Sequence, residues 1–175
     1  MALLCCCLGL RISECLALRW SDVDWLDGKL LVERGIVCQQ VDDVKTAESR
    51  KKMTIDRELL TDLQTWKQTT QFSGSDDWVF ASPSQLGRSP WSYDQVWRVF
   101  QKAGVSGAHS LRHTYRTWLD SGGTPVGVQQ QLMRHADVRT TMNQYGSAHT
   151  ADMAEAHGRV VRLARNGRET AGKVC

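Results

Sequence analysis

The chain has 175 residues, 41% of them hydrophobic and 23% charged, with a formal net charge of +3. That length is enough for one domain with a real core, and the basic excess is too mild to demand a polyanionic partner by itself. Six cysteines without one C-x-x-C pair argue against a zinc or disulfide framework and read as small buried thiols of a reducing compartment.

In chain order, M-A-L-L-C-C-C-L-G-L is apolar but too short to span a bilayer, and it lacks the basic leader and cleavage site of a secretory signal. No membrane attachment is expected. The run reads as a core helix over residues 2–9 broken at Gly9, and a chain that opens inside a core helix reads as truncated. Ser13 suits an N-cap for a second helix through Leu18, with Glu14 in its first turn. A turn-rich connector follows from Asp22 to Gly28. K-L-L-V-E-R-G-I-V, Gln39 to Thr46 and R-K-K-M-T-I-D predict three strands, with T-A-E-S (Thr46 to Ser49) as a hairpin turn.

Helical period resumes in E-L-L-T-D-L-Q-T-W-K-Q, where Leu59, Leu63 and Trp66 share a face. S-G-S-D-D and S-P-S-Q-L-G-R-S-P are loops flanking the apolar W-V-F-A. Tyr93, Val96, Trp97 and Phe100 recur at i, i+3, i+4, i+7 and predict another helix. After a Gly-Gly-Thr-Pro break at residues 122–125, helices are expected from Val126 to Met133 and from near Val138. A-D-M-A-E-A-H-G-R-V-V-R-L-A-R predicts a last one, with Met153, Ala156, Val160 and Leu163 near one face. The class is therefore α+β and mostly helical, with a small three-stranded antiparallel sheet near the N-terminal third.

Between these lies H-S-L-R-H (His109 to His113), which opens the helical segment S-L-R-H-T-Y-R-T-W-L-D. Leu111, Tyr115 and Trp118 fall on one side of a helical wheel; His109, Arg112, His113 and Arg116 fall opposite. The basic side fits either an ordinary solvated face or a cluster that presents fixed charge and proton-transfer groups to a phosphate. His109 and His113 at i, i+4 would also suit zinc, but no third ligand has suitable spacing.

Four stretches stand in order along about 135 residues: G-L-R-I-S-E (Gly9 to Glu14), V-K-T (Val44 to Thr46), H-S-L-R-H, and R-H-A-D-V-R-T-T-M-N-Q-Y-G (Arg134 to Gly146). Together they resemble the catalytic domain of the tyrosine recombinases, the phage-integrase family. The resemblance implies that fold, and a metal-free and cofactor-free cleavage and rejoining of double-stranded DNA. Arg11 and Arg112 match the two arginines that clamp the scissile phosphate. Tyr145 matches the nucleophile that forms a 3′-phosphotyrosyl link. Lys45 matches the mobile general acid toward the leaving 5′-oxygen, and His109 and His135 match the two positions that hydrogen-bond the phosphate and assist proton transfer. Glu14 would orient an arginine or histidine.

Two departures are visible. L-M-R-H stands where the family has L-G-H, and Tyr145 follows His135 by ten residues where many members have nine. The resemblance further implies that residues 1–165 form a catalytic domain lacking its first helix and an N-terminal DNA-gripping domain, with 166–175 a disordered tail. It also implies self-association on DNA, with the last helix projecting to dock on another copy, and a cytoplasmic, nucleoid-associated place in a prokaryotic cell. Two other readings stay open: a non-catalytic DNA-binding remnant, and a type IB topoisomerase-like relaxase.

Overall fold

The computed structural model describes residues 1–37, 40–43, 51–134 and 150–171. Lys45, His135, Tyr145, the T-A-E-S turn and the helix expected near Val138 lie outside the described residues.

Helix α1 (Ala2–Leu8) buries Leu4, Cys5, Cys7 and Leu8 and stops at Gly9, whose φ of 61° lets the chain turn back. A side chain at Gly9 would place its Cβ 2.4 Å from Tyr115 Cδ1, so glycine is also what lets α1 lie against the helix carrying Tyr115. Cys5 Sγ and Cys15 Sγ stand 3.6 Å apart in the core, a contact and not a bond.

Helix α2 (Ile12–Leu16) starts two residues earlier than Ser13 suggests. Arg11 is its N-cap, and the Glu14 carboxylate accepts the Arg11 backbone N–H at 2.8 Å. A glutamate three residues into a helix does the capping here, which leaves Ser13 inside the first turn.

The strands β1 (Val23–Asp24), β2 (Lys29–Val32), β3 (Arg34–Val37), β4 (Gln40–Asp43) and β5 (Lys51–Thr54) make two small antiparallel sheets, ordered β1-β2-β5 and β3-β4. K-L-L-V-E-R-G-I-V is thus two strands, broken at Glu33. Leu30 and Val32 serve one apolar cluster while Ile36 serves a second, beside Leu16 at the end of α2 and Ala17 just after it. Arg34 pins the break through Asp22 Oδ2 at 2.6 Å.

Helix α3 (Arg57–Thr69) is capped by Asp56, which accepts the Glu58 N–H at 2.9 Å, and it buries Leu59 and Leu63. Helix α4 (Tyr93–Lys102) opens with a reciprocal Ser92–Gln95 cap. It buries Val96 and Phe100 only; Tyr93 and Trp97 are exposed, so its buried stripe is narrower than the four-residue face expected. Helices α5 (Ala108–Ser121) and α6 (Val126–Met133) follow, and α6 has the bounds read from the sequence.

Helix α7 (Thr150–Ala171) corrects one expectation. It folds back on its own domain, against α1, α5, α6 and β5, where the sequence reading has it project. Ala156, His157, Gly158, Val160 and Val161 are buried, whereas Leu163 is exposed. Polar contacts seal the packing. His157 Nδ1 lies 2.9 Å from Thr54 O, Arg159 donates to Gly122 O, and Arg165 pairs with Glu58 and Asp62. No helix among the described residues is long and apolar enough to cross a membrane.

Candidate active site

The buried stripe of α5 is Ala108, Arg112, Tyr115 and Leu119, spaced i, i+4, i+7, i+11. Arg112 is therefore in the core, not on a basic face opposite Tyr115 as the helical wheel suggests. Leu111 and Trp118 are half-buried, and His109, His113 and Arg116 are exposed.

A guanidinium tolerates burial only with its donors engaged. Arg112 Nη1 donates to Gly9 O, and Nη2 donates to Met133 O. One side chain thus ties the turn after α1 and the last residue of α6 to the middle of α5. Burial and the nearby Arg11 lower its pKa to about 10, so it stays charged at neutral pH.

The second centre is Glu14. Its carboxylate accepts Arg11 Nη1 at 3.0 Å, the Arg11 backbone N–H at 2.8 Å, and Arg134 Nη2 at 2.6 Å. Burial pushes this carboxyl up, but Arg134 and Arg11 together outweigh burial and hold it below the ordinary glutamate value. Glu14 therefore does orient an arginine, and it orients two. Sequence reasoning gave no role to Arg134. The available signal was an arginine at the end of a helix, where a glycine was expected, with an acidic residue in the first arginine motif that needed a buried partner.

Four charged groups from three parts of the chain meet here: Arg11 and Glu14 at α2, Arg112 on α5, and Arg134 after α6. One carboxylate against three guanidiniums leaves a local excess of positive charge, which suits an anion of phosphate type. His109 lies one turn before Arg112 on α5, its ring edge-on to His113 with centroids 4.7 Å apart. Arg134 is the last described residue before His135. An apolar cavity of about 340 Å³ opens elsewhere, between α1, α3 and α4, and none of these charged residues lines it.

A sequence model of the phage integrase family matches residues 1–152. Transposase A from transposon Tn554 of Staphylococcus aureus is 32% identical over 158 residues, which cover 83% of this chain and 42% of that protein. Tyrosine recombinase XerC of Pediococcus pentosaceus is 28% identical over 134 residues, covering 76% of this chain and 44% of the relative. The chain therefore spans less than half the length of either relative. Among solved structures, the Tn1549 transposon integrase in complex with a circular intermediate DNA superposes with a TM-score of 0.67 over 93% of this chain and 57% of the other, at 22% identity. The expected fold is the observed one: a tyrosine-recombinase catalytic-domain architecture, mostly helical with small antiparallel sheets.

Proposed function

Because the chain belongs to the phage integrase family, we propose that it is the catalytic part of a site-specific DNA recombinase. It cleaves and rejoins duplex DNA through a 3′-phosphotyrosyl intermediate, with residues 1–165 as the catalytic unit. The observation that carries this reading is the junction at Arg112. One buried guanidinium bonds both the loop leading to Arg11 and the residue two before His135, so a single anchor joins two of the family's motifs to the residue that precedes a third.

In this scheme the Tyr145 oxygen attacks phosphorus, the bond from phosphorus to the 5′-oxygen breaks, and Lys45 delivers a proton to that oxygen. Arg11 and Arg112 neutralise the charge that builds on the non-bridging oxygens, the work a divalent ion does in other phosphoryl-transfer sites. His109 and His135 hydrogen-bond the phosphate. Rejoining reverses the same steps, and because the phosphotyrosyl bond conserves the phosphodiester's energy, no nucleotide cofactor is called for. Double-stranded DNA is the partner, a reading supported by the Tn1549 integrase's complex with a circular intermediate DNA, and the chain acts at the nucleoid of a prokaryotic cell. Self-association on DNA would require α7 to exchange its seat with that of a second copy, since its apolar face is occupied within one chain.

A pool of nicked duplexes of randomised sequence, incubated with the chain in a chelator, tests the reading. The expected result is a covalent protein–DNA adduct that survives denaturation and disappears in Tyr145→Phe. A chain that binds duplex without forming the adduct would be a DNA-binding remnant, and relaxation of supercoiled plasmid without site preference would mark a topoisomerase.

A further inference from the structure

Arg134 occupies an unusual backbone state. As the cap after α6 it has φ 51° and ψ 43°, the left-handed region that favours glycine. It is one of two non-glycine residues with positive φ among those described, the other being Leu86 in an exposed loop turn. The resemblance to L-G-H makes glycine the expected residue here, and arginine is a strained replacement. Yet its side chain is 5% exposed and reaches Glu14, 120 positions away, at 2.6 Å. A conformational cost combined with a buried, specific ion pair marks a residue retained for its side chain.

That side chain reaches the candidate phosphate clamp through one intermediary. Glu14 holds Arg134 on one side and both the side chain and backbone N–H of Arg11 on the other. Arg11 is the solvent-facing end of the relay, its side chain 46% exposed. Arg134 keeps the buried Glu14 carboxylate ionised, and the ionised carboxylate holds both Arg11 donors in place.

We infer that Arg134 is a positioning residue for strand cleavage: it fixes Glu14 and, through Glu14, the Arg11 guanidinium that receives the scissile phosphate. The inference rests on the functional reading above and adds a residue to it. Among the described residues, the charged or titratable groups that act on Glu14 are Arg11 on its own loop, Arg134 after α6, Arg112 on α5, and the thiols of Cys5 on α1 and Cys15 on α2. Burial raises the Glu14 carboxyl and Arg134 is the largest influence lowering it. Removing Arg134 therefore moves Glu14 protonation to higher pH, and a protonated Glu14 no longer accepts both Arg11 donors.

The test compares single-turnover adduct formation against pH for the wild-type chain, R134G and R134K, with noncovalent DNA affinity and the Glu14 carboxyl titration (by NMR) measured alongside. R134G should cleave about tenfold more slowly near pH 5.5 and within about threefold of wild type near pH 8, with the Glu14 midpoint raised and DNA affinity little changed. R134K, which restores the charge, should recover most of the loss. A wild-type acid limb and an unmoved Glu14 midpoint in R134G would overturn the inference. If R134G does not fold, E14Q/R134G, which buries neither charge, takes its place: slower cleavage with no limb assignable to Glu14 supports the inference, and wild-type rates overturn it. A wild-type chain that forms no adduct at any pH instead overturns the functional reading, and the Glu14 titration in R134G then decides the relay on its own.

Discussion

Arg112 shows how far a single residue can reach. Its guanidinium joins Gly9, 103 positions upstream, to Met133, 21 positions downstream. Arg112→Ala should therefore fail twice. Two buried carbonyls lose their donor, at about 1–3 kcal/mol each, and cleavage should fall by roughly 10²–10³ as a preorganised donor disappears. Arg112→Lys keeps the charge but cannot span both carbonyls, so it should lose stability as well. Urea unfolding and adduct kinetics on the same preparations check both effects, and an Arg112→Ala chain as stable as wild type would contradict the core placement. The residue was legible in H-S-L-R-H; its environment was not. A hydrophobic pattern assigns every guanidinium to solvent, whereas the burial of Arg112 is set by two carbonyls remote in sequence. Arg134 was obscured for the same reason, because the partner that makes it intelligible is 120 positions away.

Among elements, the helices with strong local signals were readable, α6 down to its bounds. Errors fell where tertiary contacts decide. The split of K-L-L-V-E-R-G-I-V follows from Arg34 meeting Asp22, and the buried face of α4 is narrow because only Val96 and Phe100 join the cluster around Leu16 and Ile36. Helix α7 docks through His157, which is buried, donates from Nδ1 to Thr54 O, and faces the ring of Tyr115. Burial pushes its pKa below the ordinary 6.5, an effect the Thr54 bond opposes and Arg134 reinforces. The sign follows: above about pH 6.5 the imidazole is neutral in both states and its contribution is constant. As pH falls through that value the unfolded chain takes up a proton that the folded chain resists, so stability drops until the lowered folded value is passed. Comparing Tm for wild type and His157→Gln should show the wild-type advantage shrinking between about pH 7.5 and about pH 5. A pH-independent difference would contradict the buried neutral histidine.

For the whole molecule, α7 completes the core: its Ala156, Val160 and Val161 belong to the same cluster as the buried apolar side chains of α1, α5 and β2. Deleting residues 150–175 should remove cooperative unfolding and yield an aggregating chain, where a projecting helix would have left a stable domain behind. A soluble, cooperatively melting deletion product would restore the projecting-helix picture. The sequence showed the amphipathic stripe of α7 but not its docking site, because an apolar face fits its own domain or a second copy equally well by pattern.

The central claim is that the charged junction of Arg11, Glu14, Arg112 and Arg134 serves Tyr145 as the nucleophile. The chain has three tyrosines. Tyr115 is fully buried, with burial pushing its hydroxyl pKa well up, and Tyr93 lies exposed in the first turn of α4. Tryptic digestion of the trapped adduct separates all three, since Tyr93, Tyr115 and Tyr145 fall in peptides 89–98, 113–116 and 140–159. Mass spectrometry should find the nucleotide on peptide 140–159, attached at Tyr145. A nucleotide on either of the other two peptides would contradict the account.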